Sequence, residues 1–363
     1  MAGIRVVGDA LELPGGAQVR FMRTLRIPET GTYPLPPGLG AFPLRRVEDY
    51  PHTVPEEWRR RGGVMLPVYQ REAMWLNFSA VTPVALKVGV GKVCAVSGKP
   101  WSPALGRRPQ NYVAVPQQPW LDGINSGDGF IRQFVAVPMG LGATVEGQVT
   151  GEERWGGVQL AVHELTDAAR ATWQRTLPPY PPSDGGYGAP PPPPPGAAPG
   201  GPAAPGGPAA PGGYGCPPPS PGAAPAAPAA PGCAPPAAVR SMGLGAGGRM
   251  RQEVYADQRP LSDYQAEPSG RVFVHLASAA QWWQITGEAP PPTPVTPQAY
   301  AQQGLPWFDY YDADAADLPA SAELAGVRPT GHWLADEQPG WTPPAPPPAV
   351  QLKDERPVSD GEW

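Results

Sequence analysis

Cysteine and histidine are scarce. Only three of 363 residues are Cys (Cys94, Cys216, Cys233) and only four are His (His52, His163, His275, His332). An odd cysteine count without framework spacing argues against a small secreted domain built on disulfides, so the thiols read as free in a reducing compartment. No two histidines stand at metal-ligand spacing and no Cys/His cluster exists, which gives no basis for a zinc site. No run approaches the ~18 continuous apolar residues of a membrane span. The segment Met1-Ala2-Gly3-Ile4-Arg5-Val6-Val7-Gly8-Asp9 lacks the apolar core of a signal peptide. A soluble, cytoplasmic protein is the expectation. Charge of one sign is lacking too. Residues 1–176 carry 19 Lys+Arg against 15 Asp+Glu, a net of +4, and residues 239–363 carry 8 against 16, a net of −8. The basic excess is too small and too scattered for a nucleic-acid footprint; the acidic part could dock on the basic one by charge, or both could be ordinary solvated faces.

Proline and glycine are abundant, 57 and 46 residues, and their excess sits between residues 177 and 238. Pro190-Pro191-Pro192-Pro193-Pro194-Pro195 is uninterrupted, and Gly200-Gly201-Pro202-Ala203-Ala204-Pro205 then recurs with small changes. Such sequence has almost no large apolar groups to offset roughly 1–2 kcal/mol of backbone entropy per ordered residue. A disordered Pro/Ala/Gly tether is therefore expected over 177–238, with polyproline II character in its proline runs.

The sequence around it has strand character. From Val19 to Ile27 a mainly apolar set (Val19, Phe21, Arg23, Leu25, Ile27) alternates with a mainly polar one, the pattern of a half-buried strand. Further strands are expected over 64–68, 73–78, 84–96, 112–115, 131–137, 144–149, 158–163, 249–255 and 271–276. Short helices are expected after Thr53, over 167–175 behind Thr166, over 278–286 stopped at Gly287, from Thr296-Pro297 to Gly304, and over 321–325. Many short strands with few helices indicate a mainly β fold, a sandwich or distorted barrel. The second part has too few strands to stand alone. The expectation is one discontinuous domain: a β-rich part at 1–176, the tether at 177–238, a mixed part at 239–340 completing the same body, and a loose tail at 341–363.

Catalytic spacing is not visible. Gly91-Lys92 invites a phosphate-loop reading, but Leu86 stands where that loop needs Gly and Val93 where it needs Ser or Thr. The surrounding alternation says strand, with glycines marking a bulge or close backbone approach. Four carboxylates fall between Asp309 and Asp317. Counted from Asp312, Asp314 and Glu323 fit an EF-hand, but Ala316 and Asp317 occupy its fifth and sixth positions. A looser cation site at Asp312, Asp314 and Asp317 is the remaining metal candidate. The loop from Asp122 to Gly129 is the best-placed ligand site, with Trp120, Asp122, Asn125, Asp128 and Arg132 as its candidate residues. Its competing reading is a turn capped by its own Asp and Asn side chains. Twelve Trp, several beside turns, could stack on sugars or grip proline-rich peptides, or simply pack the core. No cofactor is implied.

Several stretches carry a resemblance: Gln118-Pro119-Trp120-Leu121-Asp122-Gly123-Ile124, Ile131-Arg132-Gln133-Phe134-Val135-Ala136-Val137-Pro138-Met139-Gly140, Met242-Gly243-Leu244-Gly245-Ala246-Gly247-Gly248 and Gly304-Leu305-Pro306-Trp307-Phe308-Asp309-Tyr310-Tyr311. In them the chain resembles a family of uncharacterised microbial proteins of about 300 residues. The resemblance covers both parts and skips the tether, which implies that the two belong together and that the insert is tolerated. It carries no functional residues over. The functional expectation is a non-enzymatic interaction or structural protein that binds a protein partner or itself. The alternative is a carbohydrate-binding or carbohydrate-acting β-protein built on Trp120, Asp122 and Asp128.

Overall fold

The computed structural model describes residues 3–177, 241–292, 316–330 and 357–363. Its strands join one hydrogen-bonded network, mainly antiparallel, and the fold is mainly β as the sequence pattern predicts. One ladder runs through Ala10–Leu13, Ala17–Thr24, Ala73–Ala80, Phe130–Pro138 and Met242–Arg251. A second runs through Val64–Val68, Gly270–Ser278, Val158–Glu164, Val84–Val90 and Val113–Val115. The two meet where Met242 pairs with Leu276. Each ladder thus contains strands from both sides of the Pro/Ala/Gly insert. Residues 178–238 of the insert, residues 341–356 and the helix expected from Thr296-Pro297 lie outside the described residues.

One core cluster serves both ladders. It includes Phe21, Leu76, Phe134 and Leu244 from the first, and Leu86, Val88, Val158, Val272 and Val274 from the second. Burying each such side chain stabilises the fold by about 1.5–3 kcal/mol. The Val19–Phe21 alternation works as expected. Arg23, on the apolar side of that strand, is buried and is answered by the Glu72 carboxylate at 3.0 Å.

Helices occur where capping chemistry marks them. Glu56–Arg61 follows Pro55 and ends at Gly62. In Asp167–Thr176 the Ala169 amide donates to Thr166 Oγ1. Ala279–Thr286 lies between the Ser278 cap and left-handed Gly287. Among the described residues no helix is long and apolar enough to cross a membrane.

Four expectations need correction. The strand predicted over 144–149 is a helix, Val145–Thr150. Its β-branched residues suggest a strand, but Thr144 Oγ1 accepts the Gly147 amide and Gly151 closes the end at φ 80°, so the caps win. The strand over 84–96 is a hairpin: Val84–Val90 turns at Gly91-Lys92, both at positive φ, and returns as Val93–Cys94. The close-approach reading of its glycines holds at Gly89, where a Cβ would lie 2.5 Å from the Trp101 ring. The strand placed over 249–255 is Met242–Arg251 and begins in glycine-rich sequence. Finally, Pro357–Trp363 belongs to the segment expected to be loose, yet it pairs with Arg5 and Gly62. Backbone hydrogen bonds and a tryptophan hold it there, neither of which a proline-rich, charged composition announces.

Candidate functional site

Strand Gly270–Ser278 shows two faces. Val272, Val274 and Leu276 enter the core, so Arg271, Phe273 and His275 point the other way. On that outer face Phe273 lies opposite Gln159, which in turn lies opposite Gly89. Because Gly89 has no side chain, the Trp101 ring settles on the sheet there. The result is a row of rings. Trp58 stacks on His275 at 4.6 Å, His275 meets Phe273 at 4.5 Å, Phe273 meets Trp363 edge-on at 5.9 Å, and Trp363 meets Trp101 at 6.3 Å.

Cations are interleaved with this row. The Arg61 guanidinium lies 4.5 Å from the Trp155 centroid and 5.5 Å from that of Phe273. Lys92 Nζ lies 4.7 Å from Trp155 and 4.5 Å from Trp363. Arg271 lies 4.9 Å from Trp363. Each contact is worth about 0.5–2 kcal/mol, more where water is excluded. Burial, helped by the positive charges of Arg271 and Arg61, lowers the Lys92 ammonium to about 8. Burial likewise lowers the Arg61 guanidinium, whose Nη atoms donate to the Trp155 and Arg154 carbonyls at 3.3 Å. Burial lowers His275 to about 3, so the ring is neutral at pH 7 and its Nε2 donates to the Gly62 carbonyl at 3.0 Å. Glu146 is buried and accepts the amides of Trp155 and Gly156, which fixes the Trp155 loop against the row.

Onto this face Pro357–Trp363 is laid. Val358 N–H donates to Ile4, and Gly63 N–H donates to Ser359 O. Gly361 and Glu362 N–H donate to Arg61 O and Arg60 O, both at 3.0 Å. Val358 enters the core cluster. Asp360 pairs with Arg271 at 2.9 Å and accepts the Trp363 indole N–H at 2.9 Å. Backbone pairing, one carboxylate and one indole are the elements by which an edge captures an extended peptide.

The residues singled out from sequence lie elsewhere. Trp120 is half-buried in a short strand opposite Asn77. Asp122 is 1% exposed. Its carboxylate accepts Gln252 Nε2 at 2.5 Å, and burial raises it well above the usual range. Asn125 is buried, its side chain donating to Val96 O and accepting the Gly127 amide, as in the capped-turn reading. Asp128 is exposed at the turn, with φ 55°. Arg132 is half-buried opposite Ile124 on one side and Arg249 on the other. Asp317 accepts the Gly129 and Val254 amides, one with each oxygen, which fastens residues 316–320 to the sheet. Asp312 and Asp314 lie outside the described residues. Among the described residues no three His, Cys, Asp or Glu gather as a metal site.

The ring-and-cation row escapes sequence reading because its members come from segments far apart in number. Signals existed: Arg59-Arg60-Arg61-Gly62-Gly63, Gly91-Lys92, Arg154-Trp155, and Arg271 two positions before Phe273. Only the pairing of strands reveals that they are neighbours. No protein-family model matches the chain, and no curated protein or solved structure is found similar to it.

Proposed function

We propose that the protein is a non-enzymatic interaction protein whose ring-and-cation face receives an extended peptide carrying an aspartate and a tryptophan. Pro357–Trp363 occupies that place in the chain itself. Its seating by backbone pairing, an Asp360–Arg271 ion pair and the Trp363 indole is the observation that carries the reading. A partner segment of like chemistry, from another protein or a second copy, competes for the same contacts. An intramolecular occupant raises the threshold a competitor must exceed, because its effective concentration is of the order of millimolar.

The test uses the full chain with its own segment weakened by Asp360→Ala and Trp363→Ala. A fluorescent peptide of sequence Pro-Val-Ser-Asp-Gly-Glu-Trp is titrated against it, followed by anisotropy. Saturable binding is expected, weakened at least about tenfold when Arg271→Glu is added. Binding that ignores Arg271→Glu, or no binding by folded protein, would refute the reading.

A further inference from the structure

A cleft of about 420 Å³ opens beside the ring row, and neither Asp360 nor Trp363 lines it. Trp58, Met139, Met242 and Leu276 give it apolar walls, and Arg61 and Arg154 bring cations to it. Arg61 is the unusual member. It is only 3% exposed; the carboxylate paired with it, Glu57, stands 3.6 Å away on a side chain 61% exposed, and Glu146 adds a second, weaker attraction. Its Nε is buried without any hydrogen-bond partner. A buried guanidinium left this way is costly, because carbonyl oxygens and ring faces replace only part of its lost hydration. Arg154 beside it is exposed and rests loosely over Trp155 at 5.5 Å.

We infer that this cleft binds a small organic carboxylate, its anionic head between Arg61 and Arg154 and its apolar body against Trp58, Met139 and Met242. The balance of charge disfavours a dianion. Glu57 and Glu153 also line the cleft and offset Arg61 and Arg154. Glu153 is fully engaged, accepting the amides of Gly140, Gly142 and Thr144 and the Thr144 hydroxyl, so it stays in place. Lys92, over the Trp155 ring, is offset by the buried Glu146, so the surroundings carry no excess of either sign. A phosphate dianion meets the fixed Glu153 carboxylate, and Glu57 beside it, with too little compensation. The volume suits a compact ligand of one ring or one branched chain.

Calorimetric titration of the full chain with phenylacetate, indole-3-acetate and 4-methylpentanoate tests this. Phenylacetamide, the neutral counterpart of the first, and inorganic phosphate serve as comparison probes. At least one acid should bind saturably below about 10 mM, and its amide at least about tenfold more weakly. Arg154→Ala, an exposed site where folding is not at stake, should weaken acid binding about tenfold, and Met139→Trp should abolish it by filling the cleft. Arg271→Glu, which tests the peptide reading, should leave acid binding intact, so the two ideas fail separately. Equal binding of acid and amide, preference for phosphate, indifference to Arg154→Ala, or no acid binding at all would overturn the inference.

Discussion

His275 shows what a buried ring does to stability. It is stacked between Trp58 and Phe273 and bonded to Gly62, and it stays neutral down to about pH 3. In the unfolded chain an ordinary histidine takes up a proton near pH 6.5. Between those two values the unfolded state binds more protons than the folded one, so stability rises with pH and falls on acidification. Below pH 6.5 the loss grows by about 1.4 kcal/mol per unit, to about 5 kcal/mol at most. His275→Phe keeps the ring and removes the proton. Denaturant melts at pH 7, 6, 5 and 4 should show the variant less stable at pH 7 by about 1 kcal/mol, for the lost Gly62 bond. It should then gain on the parent as pH falls. A gap that stays constant from pH 7 to pH 4 would show that His275 titrates normally.

Strand Met242–Arg251 shows how packing overrides local preference. Glycine weakens a strand, and four of its ten residues are Gly. At Gly248 a Cβ would sit 2.2 Å from the Pro28 carbonyl oxygen and 2.6 Å from Ile27 Cγ1. The neighbouring backbone therefore lies where only glycine admits it. Gly248→Ala should cost about 3 kcal/mol in chemical denaturation. Gly326→Ala, where the nearest atom is 3.9 Å away and φ is −79°, should change stability by less than about 0.5 kcal/mol. Equal effects of the two would remove the close-approach argument. The same strand marks the limit of reading from sequence. Alternating segments such as Val158–Glu164 and capped segments such as Ala279–Thr286 were legible, because their signals are local. A strand made of glycine is legible only once its neighbours are in place. So is the ring-and-cation face, which sets Arg61 against Phe273 and Lys92 against Trp363. The loop around Asp122 drew attention for its polarity, but that polarity is spent on Gln252 and on the turn's own amides.

At the scale of the molecule, the insert separates strands that must pair. Phe130–Pro138 lies against Met242–Arg251 and Val158–Glu164 against Gly270–Ser278, with residues 178–240 between each pair of partners. Ion pairs cross the same gap: Arg45 with Glu288 at 2.7 Å, and Lys99 with Glu323. They tie the net-basic part to the net-acidic one at two points, of which the exposed Lys99–Glu323 pair contributes only about 0–1 kcal/mol. Cohesion comes from the common core, in which Val272, Val274 and Leu276 touch residues numbered below 176. Replacing residues 178–240 by a Gly/Ser linker of about 20 residues should therefore leave a single cooperative transition. It should raise stability by about 1 kcal/mol, the logarithmic gain of closing a shorter loop. Protease nicking of the intact insert should leave the two fragments together through gel filtration, and they should separate only in denaturant. Fragments that part under native conditions and each melt cooperatively alone would mean two independent domains, because a shared core cannot survive the loss of half its strands.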